Sequence, residues 1–269
     1  MPFTAAHPAA VLPLRRLCPA WLSWPALVVG SLTPDLDYFL TLDMRSGTGH
    51  TLAGVFSFCL PLGLVIWIVF ERLIKRPATL FLPARDRALL WKAACQPAPL
   101  SPAGMARAAA SIVAGAWTHI AWDSFTHANR LGTRLLPVLD RTLLWLGDYR
   151  LSVYQLLQHL STLAGLALIA YAYRGWRSRA TEADPPPPHL RSAWRRTLIA
   201  AWLLAPGAAA TWFVARSEHT VERVVIVHFV IAAIAFASLA LLAVSLFVLK
   251  LEKRLVSQRP GKTAGSEAI

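Results

Sequence analysis

His119, Asp123 and His127 stand four residues apart in Gly115-Ala-Trp-Thr-His-Ile-Ala-Trp-Asp-Ser-Phe-Thr-His127, at the exit of an otherwise apolar stretch. Four residues is close to one helical turn, so an imidazole, a carboxylate and a second imidazole are expected along one stripe. Ionisable groups in an apolar membrane helix cost about 2.5–3.5 kcal/mol each at the bilayer centre unless water, a partner or a metal receives them. Neutral imidazole and carboxylate are the ligand types of zinc, manganese and iron, and a carboxylate outside the coordination sphere can take a proton from attacking water. The stripe reads as part of a divalent-metal site.

Further polar residues in the same half of the chain are His7, Asp35, Asp37, His50 and His159. Thr33-Pro-Asp-Leu-Asp37 also has the form of a helix start, with Thr33 as N-cap, Pro34 in the first position and acids favoured by the helix dipole. On a regular helix Asp35 and Asp37 point about 200° apart, so one ligand or water-activating base and one structural residue are expected. His50, in Gly47-Thr-Gly-His-Thr51, lies where a loop meets an apolar segment and reads equally as a cap. His159 shares a helical stripe with Ser152, Gln155 and Thr162, which reads equally as interhelical hydrogen-bond glue. Arg130 and Arg134 follow His127 and suit either an anionic head group or interfacial anchoring. His189, His219 and His228 fall in the linker, in a short loop and alone on an apolar helix, and are left out of the site. Cys18, Cys59 and Cys95 are scattered and odd in number, with no CxxC, and read as packing residues.

The elements that must position these side chains are transmembrane. Hydrophobic residues make up 56% of the chain and charged residues 15%, a membrane-protein profile. Apolar windows at Thr51 to Phe70, Ala103 to Trp122, Leu151 to Tyr173, Arg195 to Ala215 and Val224 to Leu249 are each long enough for a bilayer of about 30 Å. The expected fold is all-α: a polytopic helix bundle of five spans plus a broken N-terminal helix or hairpin. The break is expected because Pro13, Pro19 and Pro25 interrupt Ala9 to Leu32, with Arg15 and Arg16 in the middle. No basic region precedes this stretch and no small-residue cleavage site follows, so a signal peptide is not expected.

Residues 1–175 are read as the site-bearing membrane domain, 176–192 as a Pro-rich linker, 193–250 as a C-terminal helix pair and 251–269 as a basic, disordered tail. Lys and Arg concentrate in the connections from Arg72 to Arg107 and Arg174 to Arg196 and in the tail. Such segments stay cytoplasmic, which places the C-terminus inside and Asp123, His127 and His50 at the outer face of a bacterial inner membrane. The same loops account for most of the net charge of +13, so contact with anionic lipids is expected and nucleic acid is not.

The segments Met-Pro-Phe-Thr-Ala-Ala-His7, Gly30-Ser-Leu-Thr-Pro-Asp-Leu-Asp-Tyr-Phe39, Gly49-His-Thr51, the run from Gly115 to His127 and Gln158-His-Leu-Ser161, in that order, resemble a bacterial membrane family known as domain of unknown function 4184. That family is distantly similar to inner-membrane metal-dependent hydrolases. By ligand order it is also similar to the zinc-dependent phospholipase C and P1 nuclease group, which hydrolyses phosphate esters at three metals. The resemblance implies His7, Asp35 and His50 as early ligands, or Asp35 as base. It further implies His119 and Asp123 as paired helix ligands, Asp123 able to bridge metals, and His127 and His159 completing the set. The soluble enzymes carry a glutamate one turn after the last histidine, where this chain has Leu163, so one or two zinc ions are expected rather than three. A hairpin over Ala9 to Leu32 is needed to bring His7 to the others.

The expected function is hydrolysis of an ester or phosphoester in a lipid or lipid-linked substrate at the outer face. The alternative is a non-catalytic membrane protein, a transporter or proton relay built on the same cluster. A relay requires polar groups at several depths, whereas a hydrolase gathers them at one face.

Overall fold

The computed structural model describes residues 3–17, 21–43, 47–147, 149–181, 190–216 and 222–257. Most of the proline linker, at 182–189, and the tail beyond 257 lie outside the described residues, as do His189 and His219.

The described chain is predominantly helical: α1 (Pro8–Leu17), α2 (Trp24–Leu32), α3 (Leu36–Thr41), α4 (Leu52–Gly54), α5 (Leu60–Val69), α6 (Lys75–Thr79), α7 (Ala84–Ala94), α8 (Pro102–Thr126), α9 (Leu131–Leu135), α10 (Val153–Arg177), α11 (Ser192–Ala215) and α12 (Glu222–Ser257). The helices α4 to α6 form one run, Leu52–Thr79, joined by π-turns at Val55–Cys59 and Phe70–Ile74. Local chemistry sets the starts. The Oγ1 of Thr51 accepts from the Gly54 N–H at 2.9 Å, and the Oγ of Ser101 accepts from the Gly104 N–H at 3.2 Å with Pro102 next in the chain. The Ser152 N–H donates to Gln155 Oε1 at 2.7 Å at the head of α10.

Among the described residues, four helices are long and apolar enough to cross a membrane: Leu52–Thr79, Val153–Arg177, Ser192–Ala215 and Val225–Glu252. The fifth expected window, Ala103 to Trp122, is helical throughout but is not among them. Arg107, Ser111, Thr118 and His119 dilute its hydropathy, and it packs against α2. The all-α expectation also omitted a short antiparallel hairpin, β1 (Thr142–Leu146) with β2 (Tyr149–Ser152), which pairs Trp145 with Arg150. Gly147 at its tip has φ +61°, a left-handed conformation that glycine adopts without steric cost.

The chain forms two compact units. The first comprises Met1–Asp37, Gly47–Trp67 and Pro99–Ser178, and carries every site residue named above. Its N-terminal segment is broken into α1 and α2, which pack on each other, on α8 and, through α1, on α10. The closest packing is between α2 and α8. A Cβ on Gly30 would overlap the Ile112 carbonyl oxygen, and one on Gly115 would overlap the Leu27 carbonyl oxygen and sit 2.7 Å from the Ser31 nitrogen. Only glycine lets these backbones touch. Val55, Cys59 and Ala116 form a buried core with Phe58, Val113 and Ile120 around it.

The second unit comprises Tyr38–Ser46, Ile68–Ala98 and Arg179–Ile269. Within it α11 packs along α12, and Leu80, Leu190 and Val248 are buried together against Phe81, Trp91 and Leu198. Buried Glu71 takes Lys75 Nζ at 2.7 Å and the Ala98 N–H at 3.0 Å.

Candidate metal centre

Asp35, His50, His119 and Asp123 are all buried, and one ligand atom from each lies within 4.8 Å of the others. The atoms alternate nitrogen and oxygen around a ring. His50 Nε2 is 3.3 Å from Asp35 Oδ1 and 3.5 Å from Asp123 Oδ2, and His119 Nε2 is 3.4 Å from each of the same two oxygens. These separations are long for charge-assisted hydrogen bonds, which run at about 2.7–2.9 Å. They match the edge of a tetrahedron of donors, about 3.3–3.4 Å when each donor is about 2.0–2.1 Å from zinc. His119 Nε2 and Asp35 Oδ1 have no hydrogen-bond partner although both are buried, a costly arrangement for groups left to themselves. The group could hold a metal ion, and the residues fit one by spacing and by donor chemistry.

The remaining atoms of these side chains are tied so as to aim the ring inward. His119 Nδ1 is 2.7 Å from the Ser31 carbonyl oxygen, an acceptor only, so Nδ1 carries a proton and Nε2 is the nitrogen turned to the carboxylates. Thr4 Oγ1 donates to Asp35 Oδ2 at 2.6 Å, leaving Oδ1 for the ring. Thr4 carried no signal in the sequence beyond its place three residues before His7. Thr4→Val, which keeps the shape and removes the donor, is expected to weaken divalent-metal affinity about 10–100-fold, read by competition with a chelating dye.

The expected helix cap at Thr33 is not what forms. Thr33 Oγ1 donates back to the Gly30 carbonyl at 2.7 Å, a 3-10 turn Thr33–Asp35 joins α2 to α3, and the Asp35 carboxylate is turned to the histidines. Asp37 goes elsewhere: it is buried with Oδ2 3.5 Å from the Gly49 N–H, beside the turn that carries His50.

His7 reaches the cluster because α1 and α2 return the chain on itself. Its Nε2 is 3.6 Å from Asp123 Oδ1, and its ring stacks on His119 at a centroid distance of 3.6 Å. Burial, and then the adjacent His119, hold the His7 imidazole at about 3, well below its ordinary value, so it is neutral at physiological pH. Both His7 nitrogens are buried without a hydrogen-bond partner.

His127 caps α8 in an extended conformation. Its Nδ1 is 3.1 Å from the Asp123 carbonyl oxygen and 3.7 Å from Asp123 Oδ2, while its Nε2 is buried and unpartnered. The Thr133 hydroxyl, 2.9 Å from the His127 carbonyl oxygen, fastens the turn.

The other sequence candidates stand apart from the ring. His159 is exposed on α10 and is absent from the buried group. Arg130 is half-buried at the start of α9, where its N–H donates to Thr133 Oγ1 at 3.1 Å, and Arg134 is exposed. Neither arginine has an ion pair among the described residues.

A cavity of about 380 Å³ opens beside His7, between α1 and α10. His7 and Ser161 are the only polar side chains among its lining residues apart from the indole of Trp122.

A family model described as a domain of unknown function (DUF4184) matches residues 1–246. No curated protein and no solved structure matches the chain.

Proposed function

This chain belongs to the DUF4184 family, and from its site we propose that it is a membrane-bound, metal-dependent hydrolase of ester or phosphoester bonds. Asp35, His50, His119 and Asp123 would hold a divalent cation, and two imidazoles beside two carboxylates favour zinc. Such an ion supplies Lewis acidity and a water acidic enough to attack at neutral pH. The observation that carries the reading is the pair of additional imidazoles. His7 and His127 flank Asp123 with buried, unpartnered nitrogens, a surplus of proton acceptors that a purely structural ion would not require.

In this reading neutral His7 accepts the proton of the attacking water at a ring nitrogen and returns it to the departing alkoxide. Asp123 Oδ1, 3.6 Å away, stabilises the imidazolium that forms in between. Asp37 steadies the His50 turn. Arg130 and Arg134, which follow His127 in the sequence, would hold an anionic substrate group. The basic residues between Arg72 and Arg107 and in the tail support a cytoplasmic side for those segments, and the reading takes the centre at the outer face of a bacterial inner membrane with a cytoplasmic C-terminus, where lipids or lipid-linked esters are the substrates at hand.

One observation favours a second, non-catalytic reading, a structural ion or a proton or ion relay. Four protein donors would fill a four-coordinate site, and catalytic zinc sites usually keep one position open. The two readings separate on His7→Phe, which preserves the stacked ring and removes its nitrogens. The hydrolase is expected to lose about 10²–10⁴-fold in turnover of aryl esters or bis-aryl phosphodiesters while keeping its zinc. Zinc-loaded parental protein inert on both substrate classes, yet unfolding when chelated, would establish the structural role instead.

A further inference from the structure

We infer that the cavity between α1 and α10 is the binding site for one unbranched hydrocarbon chain of the substrate, placing the scissile ester at His7. This rests on the hydrolase reading and specifies its substrate: an ester or phosphoester carrying a single aliphatic chain in contact with the protein.

The cavity shares His7 with the cluster, so an occupant reaching its polar end comes against the imidazole that stacks on His119. From there the walls are apolar but for Ser161. Small residues, Ala6, Ala9 and Ala10, form one side, and Leu157, Leu160 and Leu168 along α10 form the other. The 3-10 turn Thr4–Ala6 ahead of α1 meets α10 tightly at one point, where a Cβ on Gly165 would lie 3.0 Å from the Ala6 carbonyl oxygen. The volume, about 380 Å³, falls near the small end of ligand pockets, which span roughly 300–1,000 Å³.

The membrane supplies the reason for a chain rather than another apolar ligand. Wall helix α10 is itself a candidate span, and none of its apolar window is buried within the protein. The groove therefore opens along a helix whose remaining surface meets lipid, and a lipid chain can slide from the bilayer into it without crossing water. Trp122, next to the ligand Asp123, lines the same cavity and marks the boundary between chain and reacting group.

The test uses the full-length, zinc-loaded protein in detergent and alkyl p-nitrophenyl phosphodiesters of increasing chain length. KM is expected to fall about fourfold per added methylene until the groove is full, the factor that burial of one methylene gives. Ala164 and Leu168 line the groove from separate turns of α10 and are not among the metal-site residues. Ala164→Leu and Leu168→Trp narrow it, and both are expected to flatten that gradient while zinc content stays at the parental value.

A second readout needs no turnover. A single-chain alkyl phosphate brominated at mid-chain is expected to quench the emission component lost in Trp122→Phe, and Ala164→Leu is expected to relieve the quenching. Quenching with this behaviour but no hydrolysis at any chain length would keep the groove and reject the hydrolase. Hydrolysis with a flat KM series and no quenching of Trp122 would keep the hydrolase and reject the groove. A gradient that survives in both narrowed variants would also reject it.

Discussion

Protein carrying His119→Ala together with Asp123→Ala is expected to purify without stoichiometric divalent metal, whereas the parental chain retains it through the same detergent extraction. The two residues supply half of the donor ring, and each faces one of the two remaining donors. His119 Nε2 faces Asp35 Oδ1 at 3.4 Å, and Asp123 Oδ2 faces His50 Nε2 at 3.5 Å. Structural zinc in small four-donor sites contributes about 10–16 kcal/mol, so losing two donors removes roughly 5–8 kcal/mol. That corresponds to a fall in affinity of about 10⁴-fold or more. Elemental analysis of both proteins reads the result, and His159→Ala, at an exposed position on α10, serves as a control expected to keep its metal. Equal metal in parental and double-variant protein would remove these four residues as the ligand set.

Gly115→Ala is expected to be nearly as damaging although it lies a full turn away from His119 and touches no ligand. The added methyl would enter the space of the Leu27 carbonyl and the Ser31 nitrogen, both main-chain groups that no rotamer change can clear. Helices α2 and α8 would have to separate. That displaces the Ser31 carbonyl from His119 Nδ1 and Asp35 from His119 and Asp123 together. Overpacking of this kind costs about 1–3 kcal/mol and more when backbone must shift. A lowered unfolding temperature with at least tenfold weaker zinc retention is expected, with Gly30→Ala, against Ile112, behaving alike. Gly147→Ala, where nothing lies within 4 Å of the added methyl, adds only local hairpin strain and should leave metal binding intact. Parental stability and metal content in Gly115→Ala would mean that the two backbones do not meet as described.

The sequence was most legible where chemistry and helical period coincide. His119 and Asp123 lie one turn apart, and a carboxylate and an imidazole in such an apolar stretch have few roles besides a site. The convergence of His7 and Asp35 was legible only through the prolines that break Ala9 to Leu32, since a straight span would have separated them by a membrane thickness. Periodicity failed to locate His159 because a polar stripe tells which residues share a face of α10 and not whether that face turns inward or outward. The capping form of Thr33-Pro-Asp was locally sound, but the pull of two buried histidines on Asp35 outweighed a dipole interaction of about 0.3–1 kcal/mol. The β1–β2 hairpin is hard to read because Leu143, Leu144 and Trp145 are a short apolar run that alternation does not mark, although Gly147-Asp148 between the two runs is a hairpin-turn signal. Thr4 and the Ser31 carbonyl were invisible for a simpler reason: orienting partners are chosen by proximity in the fold, and a main-chain oxygen leaves no trace in residue identity.

The π-turns at Val55–Cys59 and Phe70–Ile74 each wind in one residue beyond an α-turn, and one residue corresponds to about 100° of rotation. Within the first unit the wider turn ends with Val55 and Cys59 in one buried core beside Ala116, and within the second the same device accompanies the reach of Glu71 to the Ala98 N–H. A fixed 3.6-residue count therefore misassigns the facing of the residues that follow either turn.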